Sequence, residues 1–190
     1  MVMPENMLNL SVEEYLDFEL HSDGRHEFVD GAVYAMTGAT EAHNIIVGNI
    51  FSLIRSHIKG SNCRVFANDM KVHIQDANCF YYPDIMMTCE PFDAKSVSKI
   101  APSFICEVLS PSTSIVDLRE KRQAYRQLNS LRQYAIVHQD HREVLLYQRV
   151  EARRWTVNTF RNTQEFILTA MPNHDLRVSL DAVYEDTDVK

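Results

Sequence analysis

Apolar residues recur along this chain in distinct rhythms, and each rhythm predicts an element. Tyr15 and Leu16 open an apolar face behind Ser11 and Glu14, a Ser-x-x-Glu capping pair, so a helix is expected over about 11–20. Phe28-Val29 and Ala32-Val33-Tyr34 flank Asp30-Gly31, a two-residue hairpin signal. Ile46, Ile50, Leu53, Ile54 and Ile58 return at helical spacing between Thr40 and Lys59, and Gly60 supplies the stop. Extended stretches follow over 63–67, 71–75 and 80–89. The run 103–109 is apolar at nearly every position, as in a strand buried on both faces. Ser110-Pro111-Ser112-Thr113 breaks it and starts a helix ending near Asn129. Segments 133–138, 144–149, 155–160 and 165–168 read as a late antiparallel run. The order predicts one mixed α/β domain over 1–190, a central sheet flanked by helices, with its core at about 25–170.

Three charges break their own element's pattern, which matters because an unpaired buried charge costs several kcal/mol. Glu107 stands among Phe104, Ile105, Cys106, Val108 and Leu109, and Asp84 among Tyr81, Tyr82, Ile85 and Met86. On the helix after Pro111, Leu118, Tyr125 and Leu128 mark one face, and Lys121 occupies the remaining position of that stripe. The three relieve one another if they converge, either as a buried ion-pair cluster or as two carboxylates holding a divalent cation beside an ammonium. Taken singly, each carboxylate could instead be a strand-end charge, and Lys121 could lay its stem on apolar surface.

Composition narrows the choice. The 190 residues are 45% hydrophobic and 24% charged, an ordinary globular balance with a core of useful size. A net charge of −7 argues at first against nucleic acid as a partner. That charge is unevenly spread: the first 30 residues carry −7 and the last ten −3, leaving +3 on 31–180, with Arg119, Lys121, Arg122, Arg126 and Arg132 close together. The four cysteines form no CxxC pair and are expected as buried free thiols in a reducing cytoplasm. No signal peptide and no membrane-length apolar run is present, so a cytoplasmic protein is expected. The eight histidines show neither HxxxH nor HxH spacing, and no GxxxxGK[ST] loop or GxSxG elbow occurs.

The segments RHEFVDGAVYAMTGAT, AHNIIVGN, YYPDIMMTC, ICEVLSPST and DLREKRQAY, in that order, resemble the PD-(D/E)XK nuclease superfamily. The closer resemblance is to its bacterial domain-of-unknown-function group described as "putative restriction endonucleases". The resemblance implies a restriction-endonuclease-like α/β fold and an endonuclease that hydrolyses phosphodiesters with Mg²⁺ or Mn²⁺. Its implied partners are nucleic acid, DNA foremost, and a second copy in a homodimer. Asp84 and Glu107 would be metal ligands and Lys121 the catalytic cation. One departure stands out: the superfamily's lysine two residues after the acid is Leu109 here, and in the resembled group it moves to the following helix, which suits Lys121. Accessory candidates are Glu27, Glu41, His43 and Asp117. Their ordinary readings are a hairpin pair, a helix-start charge, a turn cap and a first-turn acid, respectively. A catalytically inactive nuclease-like binding module, and a hydrolase of small phosphorylated molecules, are the competing readings.

Overall fold

Glu14 N–H donates to Ser11 Oγ at 3.2 Å and Ser11 N–H to Glu14 Oε2 at 2.8 Å, closing the capping box that starts α1 (Val12–His21). Tyr15 of this helix is fully buried against Phe28 and Phe80, pinning α1 to the hairpin of β1 (His26–Val29) and β2 (Ala32–Ala35). The hairpin turn needs positive φ, met by Asp30 at 47° and Gly31 at 93°. Thr40 caps α2 (Glu41–His57), whose buried stripe is Ile46, Val47, Ile50 and Ile54. The computed structural model describes residues 9–109, 115–170 and 174–190, with 115–117 as backbone only. The predicted break at Ser110–Thr113 therefore lies outside the described residues.

Two larger sheets carry most of the remaining strands. β3 (Arg64–Ala67), β6 (Ile85–Thr88), β8 (Pro102–Leu109), β9 (Gln133–His138), β10 (Glu143–Arg149) and β11 (Trp155–Arg161) form one, in the order β11-β10-β9-β8-β6-β3. β4 (Lys71–Ile74), β5 (Cys79–Tyr81) and β7 (Ser98–Lys99) join the hairpin in the other, in the order β2-β1-β5-β4-β7. Between β8 and β9 runs α3 (Ile115–Tyr125), and these strands pair in parallel, as a helical crossover requires. β12 (Glu165–Leu168) and β13 (Leu176–Ser179) make a separate ribbon before α4 (Leu180–Val183).

The expected mixed α/β architecture with helices about central strands is what forms, and four details differ. The stretch 80–89 is two strands in two sheets, broken at Tyr82-Pro83-Asp84, where Pro83 cannot donate to a ladder. α3 ends at Tyr125, short of Asn129. The late strands are not one antiparallel run, because β9 pairs parallel to β8 and β12 leaves to pair with β13. Cys63 and Cys89 are bonded as a disulfide instead of being free thiols, since the register Arg64↔Thr88 of β3 and β6 sets them side by side one step beyond the ladder. Cys79 and Cys106 are free and buried. The bridge closes 26 residues of sequence separation, so its reduction is expected to cost about 3 kcal/mol of stability. Urea denaturation of the protein with and without dithiothreitol, against Cys63→Ser, measures that cost. Among the described residues no helix is long and apolar enough to cross a membrane.

Candidate active site

The break between β5 and β6 is where the chain passes from one sheet to the other, and the unusual charges gather around it. β6 and β8 pair only as far as Ile85↔Cys106, so Val108 N–H lies past the end of that ladder. Asp84 fills the vacancy with its side chain: Oδ2 accepts from Val108 N–H at 2.7 Å. The same oxygen lies 3.2 Å from His43 Nε2, reached from the first turn of α2. His43 is buried and its Nδ1 has no partner among the described residues. Burial opposes a charge on this imidazole, but the hydrogen bond to Asp84 and the charges of Asp84 and Glu107 outweigh it and raise its pKa.

Glu107 is the next residue along β8 from the amide that Asp84 holds. It lies on the same side of the strand as Ile105, which packs with Met86, Tyr125 and Tyr134 in a buried apolar cluster. Its Oε1 accepts from the Tyr125 hydroxyl at 2.6 Å and lies 3.8 Å from Lys121 Nζ. Burial pushes the Glu107 carboxyl up to about 7; Lys121 and the Tyr125 hydroxyl pull it down, while the charges of Asp84 and Glu27 push it further up.

Lys121 reaches inward from α3 and donates to Glu27 Oε1 at 2.6 Å. Glu27 alternates with Phe28 on β1, so when Phe28 enters the core Glu27 faces the other way, toward the cleft. Its Oε1 also accepts from Tyr82 N–H at 3.2 Å. Burial works against the Lys121 charge, yet Glu107 and Glu27 more than compensate and hold its pKa well above the ordinary range.

An open cleft of about 1720 Å³ exposes this constellation, with Glu27, His43, Asp84, Glu107 and Lys121 all on its wall. Of the remaining candidates, Glu41 is exposed in the first turn of α2 and does not line the cleft. Asp117 lies on α3, but its side chain is outside the described residues. The reading of Glu27 as a partner across its own hairpin is replaced by the Lys121 contact. The reading of His43 as the turn cap is replaced too, because Thr40 caps α2 and His43 faces Asp84. Sequence reasoning missed Glu19, Lys71 and Tyr82, which line the same cleft. It also missed a His138, His141 and Glu143 group at the β9–β10 turn. There His141 already pairs with Asp140 and Glu143 with Arg161. The cleft's charge is unexpected: among the described residues its lining holds eight carboxylates against three cationic side chains, Arg25, Lys71 and Lys121.

The fold is thus mixed α/β, with carboxylates and a lysine gathered at the passage between its two larger sheets. The family model of Uma2, described as "Putative restriction endonuclease", matches residues 12–180, and the chain belongs to that family. Two proteins of Synechocystis sp. are similar to it. One, uncharacterized protein slr1290, is 31% identical over 176 residues, covering 92% of this chain and 91% of that one. The other, uncharacterized protein sll1609, is 32% identical over 149 residues, covering 77% and 84%. The fold matches the crystal structure of a putative nuclease belonging to DUF820 from Anabaena variabilis, with a TM-score of 0.76 at 16% identity over 92% of this chain and 97% of that one.

Proposed function

We propose that this protein is a divalent-metal-dependent endonuclease acting on DNA, with its centre at Asp84, Glu107 and Lys121. The observation that carries the reading is the convergence of Lys121 Nζ on Glu27 and Glu107 beside the Asp84 carboxylate, in a cleft open to solvent. The donor set suits a hard cation. Both proposed ligands offer carboxylate oxygen, and one oxygen of each has no hydrogen-bond partner among the described residues. Burial first, and the neighbouring Asp84 charge after it, raise the pKa of Glu107, and a cation bound between the two carboxylates would offset both.

A bound Mg²⁺ or Mn²⁺ would supply positive charge against the scissile phosphate and make water a stronger nucleophile there. The protein's own residues do the rest. His43 and the Val108 amide fix Asp84, and the Tyr125 hydroxyl fixes Glu107 through one oxygen. Lys121, held protonated, is unsuited to act as a base and instead opposes the negative charge that grows on phosphorus in the transition state. Glu27 serves to orient Lys121.

The acidic lining bears on the substrate. It favours a second reading, a metal-dependent hydrolase of small phosphorylated molecules, since a polyanion entering this cleft meets repulsion. Family membership and the size of the opening weigh toward the polymer. Two expectations separate the readings. Supercoiled plasmid is nicked with Mg²⁺ or Mn²⁺ and not with EDTA, and Asp84→Ala removes the activity. DNA affinity itself falls at least about tenfold when Ca²⁺ is replaced by EDTA, because the metal offsets the carboxylates. Hydrolysis of bis-p-nitrophenyl phosphate with no plasmid cleavage would transfer the assignment to the second reading.

A further inference from the structure

Lys71 is the third cation of the cleft, and its situation differs from the other two. Arg25 is paired with Asp69, and Lys121 with Glu27. Lys71 is 8% exposed and forms no ion pair with any carboxylate among the described residues. Its ammonium has three N–H donors: one meets the Tyr82 hydroxyl at 3.1 Å, and Nζ also lies 5.1 Å from the centre of the Tyr82 ring, so both contacts are to a neutral side chain. That hydroxyl in turn donates to Glu19 Oε1 at 2.6 Å, which sets a neutral group between Lys71 and that carboxylate. Burial lowers the Lys71 pKa and Glu19 only partly restores it. Lys71 is nine-tenths buried as a residue, its ammonium keeps donors free on the wall of an open cleft, and an anion entering there gains a charge-assisted hydrogen bond.

The position of that anion follows from the strands. β4 and β5 pair up to Val72↔Tyr81, which sets Lys71 opposite Tyr82 at the end of the ladder. Tyr82 then spans the two charged groups. Its hydroxyl meets Lys71, and its backbone N–H holds the Glu27 oxygen that receives Lys121. Lys71 therefore stands about one tyrosine side chain from the proposed centre, along the same wall. On the nuclease reading above, we propose that Lys71 binds a non-bridging oxygen of the phosphodiester next to the one cleaved, with Tyr82 as its positioning residue. In a cleft this acidic, such a contact gives a polyanionic strand a fixed point of attachment beside the metal centre.

The test uses the full chain, with a short fluorescein-labelled DNA duplex and the matching single strand as probes. Binding is measured by anisotropy in Ca²⁺ over a range of salt, alongside steady-state cleavage in Mg²⁺. Lys71→Met is expected to weaken binding about tenfold and to reduce the slope of log affinity against log salt by about one. KM should rise about tenfold while kcat stays within about twofold, and Lys71→Arg should restore most of both. Lys71→Gln, which keeps a hydrogen bond to Tyr82 without the charge, gives the same comparison if the methionine variant folds poorly. A lysine that only braces the fold would alter the melting temperature and leave the salt slope unchanged. Wild-type binding with an unchanged slope in Lys71→Met and Lys71→Gln overturns this inference and leaves the nuclease reading standing. No wild-type binding to either probe in Ca²⁺ overturns both.

Discussion

Replacing Glu107 with glutamine is expected to abolish metal-dependent cleavage, by about 10³-fold or more, and at the same time to stabilise the metal-free protein at pH 8. Both effects have one origin. The Glu107 carboxyl is buried near the Asp84 charge, and its pKa is pushed from the ordinary carboxylate value of 4.5 up to about 7. Between those values the folded protein holds a proton that the unfolded chain has released, so stability falls as pH rises from about 4.5 to about 7 and stays lower above. Glutamine keeps the acceptor for the Tyr125 hydroxyl and removes the charge, so it should recover about 1–2 kcal/mol at pH 8 and almost nothing at pH 4.5. Urea denaturation in EDTA at the two pH values measures this. The same proton competes with the metal, so Mn²⁺ affinity by calorimetry should rise about tenfold per pH unit below about 7 and level off above. Loss of the His43 proton acts in the same direction, since its pKa is raised through Asp84 and Glu107. A variant that is destabilised equally at both pH values would make Glu107 an ordinary structural carboxylate.

Which parts of this site can be read without the fold depends on how far each residue departs from its surroundings. Glu107 and Lys121 are conspicuous because a charge interrupts an otherwise apolar strand or stripe, and the desolvation cost of such a charge requires a partner. Glu27 and His43 sit in mixed neighbourhoods where a charge is unremarkable. Their roles depend on β1 and the start of α2 arriving at one cleft, a long-range fact. Lys71 is hidden for the same reason: at the start of Lys71–Ile74 it looks like a solvated strand end, and only its pairing opposite Tyr82 makes it buried. Asp84 is intermediate. Its apolar flanks mark it, but the reason for its conformation, completion of a ladder that stops at Ile85, belongs to the break between sheets. Local pattern predicts the helices and most strands well, since the capping box and apolar spacing are local devices. It cannot distinguish one strand of ten residues from two strands in different sheets when the intervening Tyr82-Pro83 is itself largely apolar. Nor does spacing reveal that β3 and β6 are neighbours, which is what brings Cys63 to Cys89.

Lys121 separates a catalytic charge from a structural one. Lys121→Met is expected to lower cleavage by about 10²-fold or more and to destabilise the metal-free protein by about 3–5 kcal/mol. The first effect follows from losing a fixed positive charge at the phosphate. The second follows from what remains: Glu27 and Glu107, with side chains 14% and 9% exposed, face one another's field without the cation that lay 2.6 Å and 3.8 Å away. Adding Glu27→Gln should therefore restore much of the lost stability, a coupling that a double-mutant cycle on urea midpoints would record. It should restore none of the cleavage, because no cation returns. Saturating Mn²⁺ should narrow the stability gap of the single variant, as the ion neutralises Glu107 in place of the ammonium. If the doubly substituted protein regains activity together with stability, Lys121 acts by neutralising Glu27, and the charge opposing the transition state must come from elsewhere in the cleft. If stability returns and cleavage does not, the ammonium itself is the catalytic charge, and the displaced position of this lysine on α3 serves the chemistry directly.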